Sequence, residues 1–258
     1  MLRPRIIVCL LVHNGGLVKT VSFGSPKYVG DPLNAVRIFN EKEVDELIVL
    51  DIDASAQNRE PNYELIRSLA AECRMPLCYG GGIKTVDQFQ QLVSLGVEKV
   101  AISSAAIDNP ELISEAAYKV GSQSVVVVMD VKQTGGRGDF RLCTHNATRI
   151  TSHAPAEFAT RMESLGAGEV VVNSIDCDGV MKGYPAELVS LVRNATSLPM
   201  TVLGGAGSLK DIEKLIASFG IIGAAAGSLF VFKGIYRAVL INYPSRAEKD
   251  ALFQQVFA

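Results

Sequence analysis

The stretch that decides the fold is Pro199-Met200-Thr201-Val202-Leu203-Gly204-Gly205-Ala206-Gly207, a short apolar run that ends in a turn rich in glycine. An apolar run of this length predicts a buried strand of a parallel sheet, and the glycines mark the point where the strand stops. The same pattern occurs earlier as Pro76-Leu77-Cys78-Tyr79-Gly80-Gly81-Gly82, and Gly80 and Gly204 stand 124 positions apart. One strand-and-turn unit is therefore used twice in the chain.

Short runs of aliphatic and β-branched residues alternate along the chain with longer segments of helical periodicity, which is typical of βα units around a parallel sheet. The predicted strands are Arg5–Val12, Glu46–Asp51, Pro76–Tyr79, Lys99–Ile102, Ser124–Asp130, Glu169–Ser174, Pro199–Leu203 and Ile222–Ala225. The predicted helices are Pro32–Lys42, Asn62–Cys73, Val86–Leu95, Pro110–Val120, Pro155–Leu165, Pro185–Asn194 and Leu209–Phe219. The chain of 258 residues suits an α/β protein of the (β/α)8 TIM barrel class, which needs roughly 250 residues.

Further matches keep nearly the spacing of the two glycine turns. They pair Gly96 with Gly220, Ser104 with Ser228, and Asp51 and Asp53 with Asp176 and Asp178. The first strand aligns with the fifth at a shorter offset, which the long loop 132–152 accounts for, and a hairpin is predicted there between 140–142 and 148–150. The sequence therefore predicts a single domain, 1–258, built from two duplicated half-barrels of about 1–122 and 123–258.

Composition and charge narrow the classes of partner. Hydrophobic residues make up 48% of the chain and charged residues 20%, which is typical of a globular protein with a sizeable core. The net charge of −2, without long runs of like charge, argues against nucleic acid and membrane surfaces as partners. The apolar run Ile6–Val12 is too short to span a membrane and lacks a cleavage site of small residues, so we expect a cytoplasmic protein.

Cysteine and histidine usage predicts neither a disulfide framework nor a metal site. The five cysteines form no C-x-x-C pair, and their number is odd. The three histidines, at positions 13, 145 and 153, are too few for a His-rich site. We therefore expect no metal and no other cofactor.

Glycine turns point to phosphate binding. In this fold the loops after the strands form the catalytic face, and the seventh and eighth of them often bind phosphate. A glycine lets the backbone approach an anion, and a following helix start supplies N–H donors. Two pockets on opposite sides of the mouth, and hence a ligand phosphorylated at both ends, are one interpretation; tight turns without a ligand are the other. The candidate binding residues are Gly81, Gly82, Ser103, Ser104, Gly179, Gly204, Gly205, Gly227 and Ser228.

Carboxylates at strand ends are the candidates for proton transfer. Asp130 ends the apolar run Val125–Met129, which places it at the mouth between the two pockets. A partly buried carboxylate there acts as a general acid or base, or else simply caps the strand end. Asp178, followed by Gly179, is the second catalytic candidate, and Asp51, Asp53 and Asp176 lie at comparable heights.

Two residues after strand one allow two interpretations each. Lys19 is expected in a loop near Gly15-Gly16, where it either neutralises a phosphate or is exposed without a role. His13 either faces the ligand or is solvated.

At the opposite end of the barrel four charged residues, each at the start of a strand, form either a ring of ion pairs or ordinary solvated strand ends. They are Arg5, Glu46, Lys99 and Glu169.

Together these motifs resemble the family of the cyclase subunit of imidazole glycerol phosphate synthase over nearly the whole chain. The matching stretches are Arg5-Ile6-Ile7-x-Cys9-Leu10, Asp51-Ile52-x-Ala54-Ser55, Gly80-Gly81-Gly82-Ile83, Gly166-Ala167-Gly168-Glu169, Ser174-Ile175-Asp176-x-Asp178-Gly179, Gly183-Tyr184 and Gly204-Gly205-Ala206-Gly207. The resemblance implies a duplicated half-barrel that binds a bisphosphorylated ribonucleotide. It also implies a glutaminase subunit, docked at the face that bears the strand N-termini, whose ammonia passes along the barrel axis.

The resemblance also assigns roles to single residues. It implies that Asp130 is one catalytic aspartate, that Lys19 lies in a mobile loop over the substrate, and that the four charged residues at the strand starts form an ammonia gate. One position departs from the family: where its pattern is Cys-Leu-Asp-Val, with a catalytic aspartate, this chain has Cys9-Leu10-Leu11-Val12. Leucine cannot transfer a proton, so a scheme with two carboxylates loses a partner. Pro185, and Ser103-Ser104 where Asn is common, are smaller departures.

The segment 11–20 instead resembles a paralogous branch linked to surface-polysaccharide (O-antigen) synthesis. Its members pass ammonia to a separate ATP-dependent amidotransferase that converts an N-acetyl group on a sugar into an acetamidino group. We therefore expect a cyclase-type barrel subunit that binds a phosphorylated ligand and channels ammonia for that reaction. Two alternatives stay open: a genuine cyclase, a lyase of histidine biosynthesis, and a non-catalytic scaffold that only binds and conducts.

Overall fold

All eight predicted strands are present in the computed structural model, which describes residues 3–257. They are Arg5–His13, Glu46–Asp51, Leu77–Gly80, Lys99–Ile102, Val125–Gln133, Glu169–Ser174, Met200–Leu203 and Gly223–Ala226. Each strand pairs in parallel with the next one, and the eighth pairs with the first, so the sheet closes on itself. The predicted (β/α)8 barrel is confirmed, and we number these barrel strands one to eight.

The seven predicted helices are present as well, with ends that shift by at most one residue. The helices are Pro32–Glu41, Tyr63–Glu72, Val86–Ser94, Ser104–Asp108, Glu111–Val120, Pro155–Ser164, Ala186–Arg193, Leu209–Phe219, Ser228–Val231 and Arg246–Phe257. Neither Ser104–Asp108 nor Arg246–Phe257 was predicted from the sequence. Within residues 3–257, no helix combines the length and the apolar character that a membrane span requires.

Helix starts follow the expected chemistry at one proline and depart from it at another. Asp31 caps the first helix by accepting a hydrogen bond from the Asn34 N–H at 2.9 Å, and Pro32 occupies the first helical position. The similar pair Asn109-Pro110 is shifted by one residue relative to this arrangement. Asn109 already ends the short helix before it, so Pro110 becomes the N-cap of Glu111–Val120.

The segment after strand one is a β-hairpin. Strand one turns at Asn14-Gly15, where φ is 49° and 76°, into the strand Gly16–Val21, which pairs with Gly24–Gly30. The expectation that Lys19 lies in a loop is therefore wrong. An Asn-Gly pair between two apolar runs is a strong hairpin signal, because both residues tolerate the left-handed turn that joins antiparallel strands.

A second antiparallel extension follows strand five, at the equivalent place in the other half of the barrel. Strand five continues past Asp130 to Gln133 and pairs with Phe140–Thr144, which in turn pairs with Arg149–Ile150. The predicted hairpin in this loop is confirmed. The domain limits and the boundary between half-barrels near residue 122 stay predictions.

The barrel interior is packed with side chains that alternate inward along every strand. At the starts of strands one, two, four and six the inward positions carry charge, and above them the inward positions are apolar and mostly buried. This second layer is a cluster separate from the larger core between strands and helices. It consists of Ile7, Cys9, Ile48, Cys78, Ala101, Val126, Val128, Val171, Leu203 and Ala225, with Leu11 and Leu50 packed on top.

Strand eight contributes little volume to this interior because its residues are Gly223, Ala224, Ala225 and Ala226. A Cβ on Gly223 would overlap the hydroxyl of Thr201 and lie 3.0 Å from the Ile7 side chain. The neighbouring strands therefore fill the space that strand eight leaves.

The loop into strand six depends on one close backbone approach. Gly168 donates its N–H to the Val125 carbonyl at 2.9 Å, and a Cβ at this position would overlap the carbonyl of Ser122. That neighbour is backbone of the short 3₁₀ helix Ser122–Ser124, which leads directly into strand five, so it cannot rotate away. The close contact fixes the start of strand six, where Glu169 enters the barrel.

We expect Gly168→Ala to lower the free energy of unfolding by about 2–3 kcal/mol, because the added methyl group overpacks a rigid contact. Urea unfolding measures the change. Gly136→Ala is the matched control, since Gly136 is exposed and a methyl group added there would have no neighbouring atom within 4 Å. Equal stability of the two variants would contradict the role of the contact.

Candidate functional site

A single cavity opens at the barrel mouth, and all twelve residues predicted to bind phosphate or to catalyse line it. These predicted residues are Lys19, Gly81, Gly82, Ser103, Ser104, Asp130, Asp178, Gly179, Gly204, Gly205, Gly227 and Ser228. The glycine turns after strands three and seven both contribute to the lining of this cavity. The two phosphate pockets stay a prediction. Leu11, Leu50 and Leu203 belong to the apolar part of the cavity lining.

The glycine turns have backbone conformations that other residues avoid. Gly81 after strand three has φ of 125°, and Gly205 after strand seven has φ of 116°. A side chain would also collide with backbone, at the Asp51 carbonyl in the first case and the Gly183 carbonyl in the second. These two equivalent turns therefore require glycine for both conformation and space, and both leave main-chain atoms facing the cavity.

Asp130 is half-buried and lines the cavity, within reach of a ligand. Its Oδ1 accepts a hydrogen bond from Asn173 Nδ2 at 2.8 Å, and its Oδ2 accepts one from the Ser103 hydroxyl at 3.1 Å. Burial raises the pKa of Asp130 to about 6, and the two hydrogen bonds oppose that rise. A carboxyl group with such a pKa can both give and take a proton near neutral pH.

Asp178 and Lys19 lie on the other side of the mouth. Asp178 accepts hydrogen bonds from the Thr20 hydroxyl at 2.6 Å and from the Phe23 N–H at 3.3 Å, and burial raises its pKa. Lys19 is only 5% exposed, so of its two interpretations the exposed residue without a role is wrong. Its ammonium donates to the Cys9 carbonyl at 2.5 Å beside Gly227, and burial lowers its pKa.

The remaining candidate side chains have structural partners. His13 Nδ1 lies 2.7 Å from Asp53 Oδ1, so it is neither free nor in the wall of the cavity. Burial acts to raise the pKa of Asp53, but the Asn14 N–H and His13 lower it overall. Asp51 caps the turn of Asp53 and Ala54, although it also reaches the cavity. Asp176 is exposed and accepts the Gln133 N–H at 2.8 Å.

Five polar residues of the cavity were missed in the sequence, and one of them is Ser55, whose hydroxyl accepts the Gly82 N–H at 3.2 Å. Thr20 and Asn173 adjoin the two aspartates, and His145 and Asn146 reach the cavity from the hairpin after strand five. Asn173 stands in the strand before Asp176 and Asp178, so the inward alternation of that strand was a usable signal. His145 and Asn146 have no comparable signal in the sequence. Their position depends on three successive left-handed residues, with φ of 53°, 54° and 64° from His145 to Ala147.

The four charged residues at the strand starts form a closed ring. Arg5 pairs with Glu46, and its other nitrogen lies 2.8 Å from Glu169. Lys99 Nζ lies 2.8 Å from both of the same carboxylates. The Thr201 hydroxyl donates to Glu169 at 2.6 Å. Of the two sequence interpretations, the structure therefore has the ring of ion pairs rather than solvated strand ends.

The ring favours the charged forms of Arg5, Lys99 and Glu169. Burial acts to lower the pKa of Arg5 and of Lys99, but the carboxylates of Glu169 and Glu46 raise both. Burial likewise acts to raise the pKa of Glu169, and the two cations lower it overall. Each charge depends on its neighbours, so the ring is stable only as a complete set.

We expect Asp130→Asn to raise the free energy of unfolding by about 1–2 kcal/mol at pH 8 and to change it little at pH 4. The ordinary pKa of 3.8 rises to about 6 on folding, so the unfolded chain ionises first as pH rises through this window and stability is lost. An amide never ionises. Urea unfolding at both pH values measures the difference, and Asp108→Asn on the surface is the control. An equal effect at the two pH values would count against the raised pKa.

We expect Glu169→Gln to lower the free energy of unfolding by about 2–4 kcal/mol, because Arg5 and Lys99 then share one carboxylate. Glu187→Gln is the matched control: Glu187 pairs with Arg137 at 3.3 Å on the surface, where such a pair contributes less than about 1 kcal/mol. Urea unfolding of both variants is the measurement. A loss in Glu169→Gln no larger than in the control would show that the ring does not stabilise the barrel.

Comparison with known proteins agrees with this geometry. The sequence profile of a family described as "Histidine biosynthesis protein" matches residues 5–236. The chain is 56% identical over 253 residues, 98% of its own length and 100% of the relative's, to a Leptospira interrogans protein named "Putative imidazole glycerol phosphate synthase subunit HisF". It is 57% identical over 249 residues, 96% of each chain, to a Vibrio vulnificus protein named "Putative imidazole glycerol phosphate synthase subunit hisF3".

A further relative is the Lactococcus lactis protein named "Imidazole glycerol phosphate synthase subunit HisF", 39% identical over 230 residues and 89% of each chain. The family profile covers nearly the whole barrel, from the ring residue Arg5 to the segment after strand eight. The resemblance inferred from the sequence motifs is confirmed at the level of the family. This chain belongs to the histidine biosynthesis protein family, as a barrel subunit of the HisF type.

Proposed function

We propose that this chain is the barrel subunit of a glutamine-dependent amidotransferase complex, which delivers ammonia for the formation of an acetamidino sugar. A glutaminase docks at the ring face, and ammonia crosses the barrel interior to the mouth. A separate ATP-dependent enzyme consumes it there. A phosphorylated ligand occupies the cavity at the mouth.

Leu11 is the observation that carries the proposal. In the cyclase subunits that this chain resembles, that position holds a catalytic aspartate. Here the half-buried leucine packs on the apolar layer of the barrel interior and lines the same cavity as Asp130. A cyclisation reaction that uses two carboxylates is left with only one of them. Binding of the ligand and conduction of ammonia do not need the lost carboxylate.

The barrel interior suits the passage of a small neutral molecule. Between the ring and the mouth its side chains are apolar, and several of them are small, such as Cys9, Cys78 and Ala101. Ions are strongly disfavoured in such surroundings, while uncharged ammonia is tolerated. The ring of two cations and two carboxylates stands at the entrance, where a shift of Lys99 would open a way inward.

The mouth cavity retains the features of an anion site. The turns at Gly81 and Gly205 bring main-chain atoms to its two ends, and the buried ammonium of Lys19 lies beside Gly227. Asn173 adds a buried Oδ1 that has no hydrogen-bond partner among the residues described. An unpaired buried acceptor is costly, so it favours a ligand that donates a hydrogen bond there.

A genuine cyclase is the second candidate, and one observation favours it. Asp130 and Asp178 line the same cavity, and burial raises the pKa of both. Two such carboxyl groups can divide the roles of acid and base. In that case the cyclisation reaction would not need an aspartate at position 11.

Direct assay separates the two candidates. Purified chain is mixed with ammonia and the formimino-aminoimidazole carboxamide ribonucleotide, and cyclisation is followed. We expect background turnover for the unmodified chain and a gain of about 100-fold for Leu11→Asp, the scale of one general acid or base. Leu50→Asp is the matched control, since Leu50 pairs with Leu11 and lines the same cavity. Robust turnover by the unmodified chain would overturn the proposal in favour of the cyclase.

The non-catalytic scaffold is tested with Asp130→Asn in the complex assembled with glutaminase and amidotransferase. If the chain is a scaffold that only binds and conducts, the complex with this variant keeps its glutamine-dependent formation of acetamidino sugar. If the amidotransferase reaction is lost while glutaminase binding is kept, Asp130 takes part in more than conduction.

A further inference from the structure

A tight turn near the barrel mouth has two large apolar side chains at its tip. The short strands Phe232–Lys233 and Ala238–Val239 are joined by the turn Gly234–Arg237, closed by the Arg237 N–H on the Gly234 carbonyl at 3.1 Å. Its central residues, Ile235 and Tyr236, are 88% and 89% exposed. Small polar residues are usual at such positions, so this exposed apolar pair calls for a reason. With Val239 and Leu240, also exposed, we call these residues the tip patch.

The patch is fixed against the rim of the cavity. Arg237 donates from its guanidinium to the Gly179 carbonyl at 3.2 Å, and Gly179 lines the cavity. Lys27, from the hairpin after strand one, donates to the Arg237 carbonyl at 3.3 Å and lies 5.1 Å from the centre of the Phe232 ring. The turn is therefore tied to the loop after strand six and to the hairpin after strand one. These contacts attach the turn to the rim of the mouth.

Cations surround the tip patch. Lys27 and Lys233 are exposed and Arg237 is half-buried. None of the three has a carboxylate within 4.0 Å in the part of the chain that the structure describes. An apolar centre with a rim of unpaired positive charge fits a protein surface that presents apolar residues flanked by carboxylates.

We propose that the tip patch is the docking site of the enzyme that consumes the ammonia, and that this enzyme presents an acidic, apolar surface to it. The inference rests on the proposed function and deepens it. The glutaminase is assigned to the ring face, whereas the tip patch lies at the opposite end of the barrel. An acceptor seated there would cover the mouth, so ammonia would pass from one protein to the next without entering the solvent.

Other occupants fit the patch less well. A second copy of this chain, docked symmetrically, would place one cationic rim against another, and like charges in contact are costly. An anionic lipid surface is usually recognised by clusters of about four to eight basic residues, and only three cations stand here. Both occupants are outcomes of the experiment below.

The test uses the full chain assembled with its glutaminase and the ATP-dependent sugar amidotransferase of the same organism. Affinity for the amidotransferase is measured by biolayer interferometry for the unmodified chain, Ile235→Asp and Tyr236→Asp. Tyr118→Asp is the matched control, because Tyr118 is 94% exposed on the helix Glu111–Val120. We expect each tip variant to weaken binding by about 30-fold or more, as for the loss of an interface hot spot. The control should stay within about twofold of the unmodified chain.

Two further measurements make the result specific. Glutaminase binding should be equal in all variants, which also shows that they fold. Lys27→Glu combined with Lys233→Glu should slow association with the amidotransferase, and more strongly at low salt than at high salt.

The outcomes distinguish a failure of the proposed docking site from a failure of the proposed function. If the unmodified chain binds the amidotransferase and the tip variants bind it equally well, the docking site is wrong and the proposed function stands. If the unmodified chain neither binds it nor supports glutamine-dependent amidination, the proposed function fails and the docking site with it. Sedimentation that reveals a dimer lost in Tyr236→Asp, or binding to anionic vesicles lost in the same variant, would assign the patch to those occupants and overturn the proposal.

Discussion

The alternation of side chains across a closed sheet is the constraint on which the rest of this structure depends. In a barrel, every second residue of a strand must point inward, whatever its chemistry. Along strand one this rule places Arg5, Ile7, Cys9 and Leu11 on one line from the bottom to the mouth. The charged ring, the apolar interior and the wall of the cavity are therefore successive levels of the same eight strands.

The two ends of that line differ in their electrostatics. At the bottom, opposite charges neutralise one another, and Arg5 and Glu169 keep each other ionised. At the mouth, the buried groups are held closer to their neutral forms: burial raises the pKa of Asp130 and lowers that of Lys19. Charged forms are therefore favoured at the bottom of the barrel, and neutral forms are favoured at the mouth.

Much of this arrangement could be predicted from the sequence, because strand order and strand length have simple signals. Apolar runs placed the strands, and the ends of those runs placed Asp130 and the glycine turns together at the mouth. Lys19 was misplaced because the Asn14-Gly15 turn converts an expected loop into paired strands and swings the ammonium inward. His145 could not be foreseen, since its place at the cavity depends on a hairpin that folds back over the mouth and not on its own strand.

Strand eight, with its run of glycine and alanine, has a consequence for how relatives of this chain can vary. Its missing volume is taken up by Thr201 and Ile7, so these positions share one space. A larger residue in strand eight has room only if a neighbour shrinks, and the hydroxyl that supports Glu169 would then be the first group displaced. In sequences of this family, a larger residue in strand eight should therefore occur together with a smaller residue in strand one or strand seven. Because Thr201 donates to Glu169, such paired changes also affect the ring of charged residues.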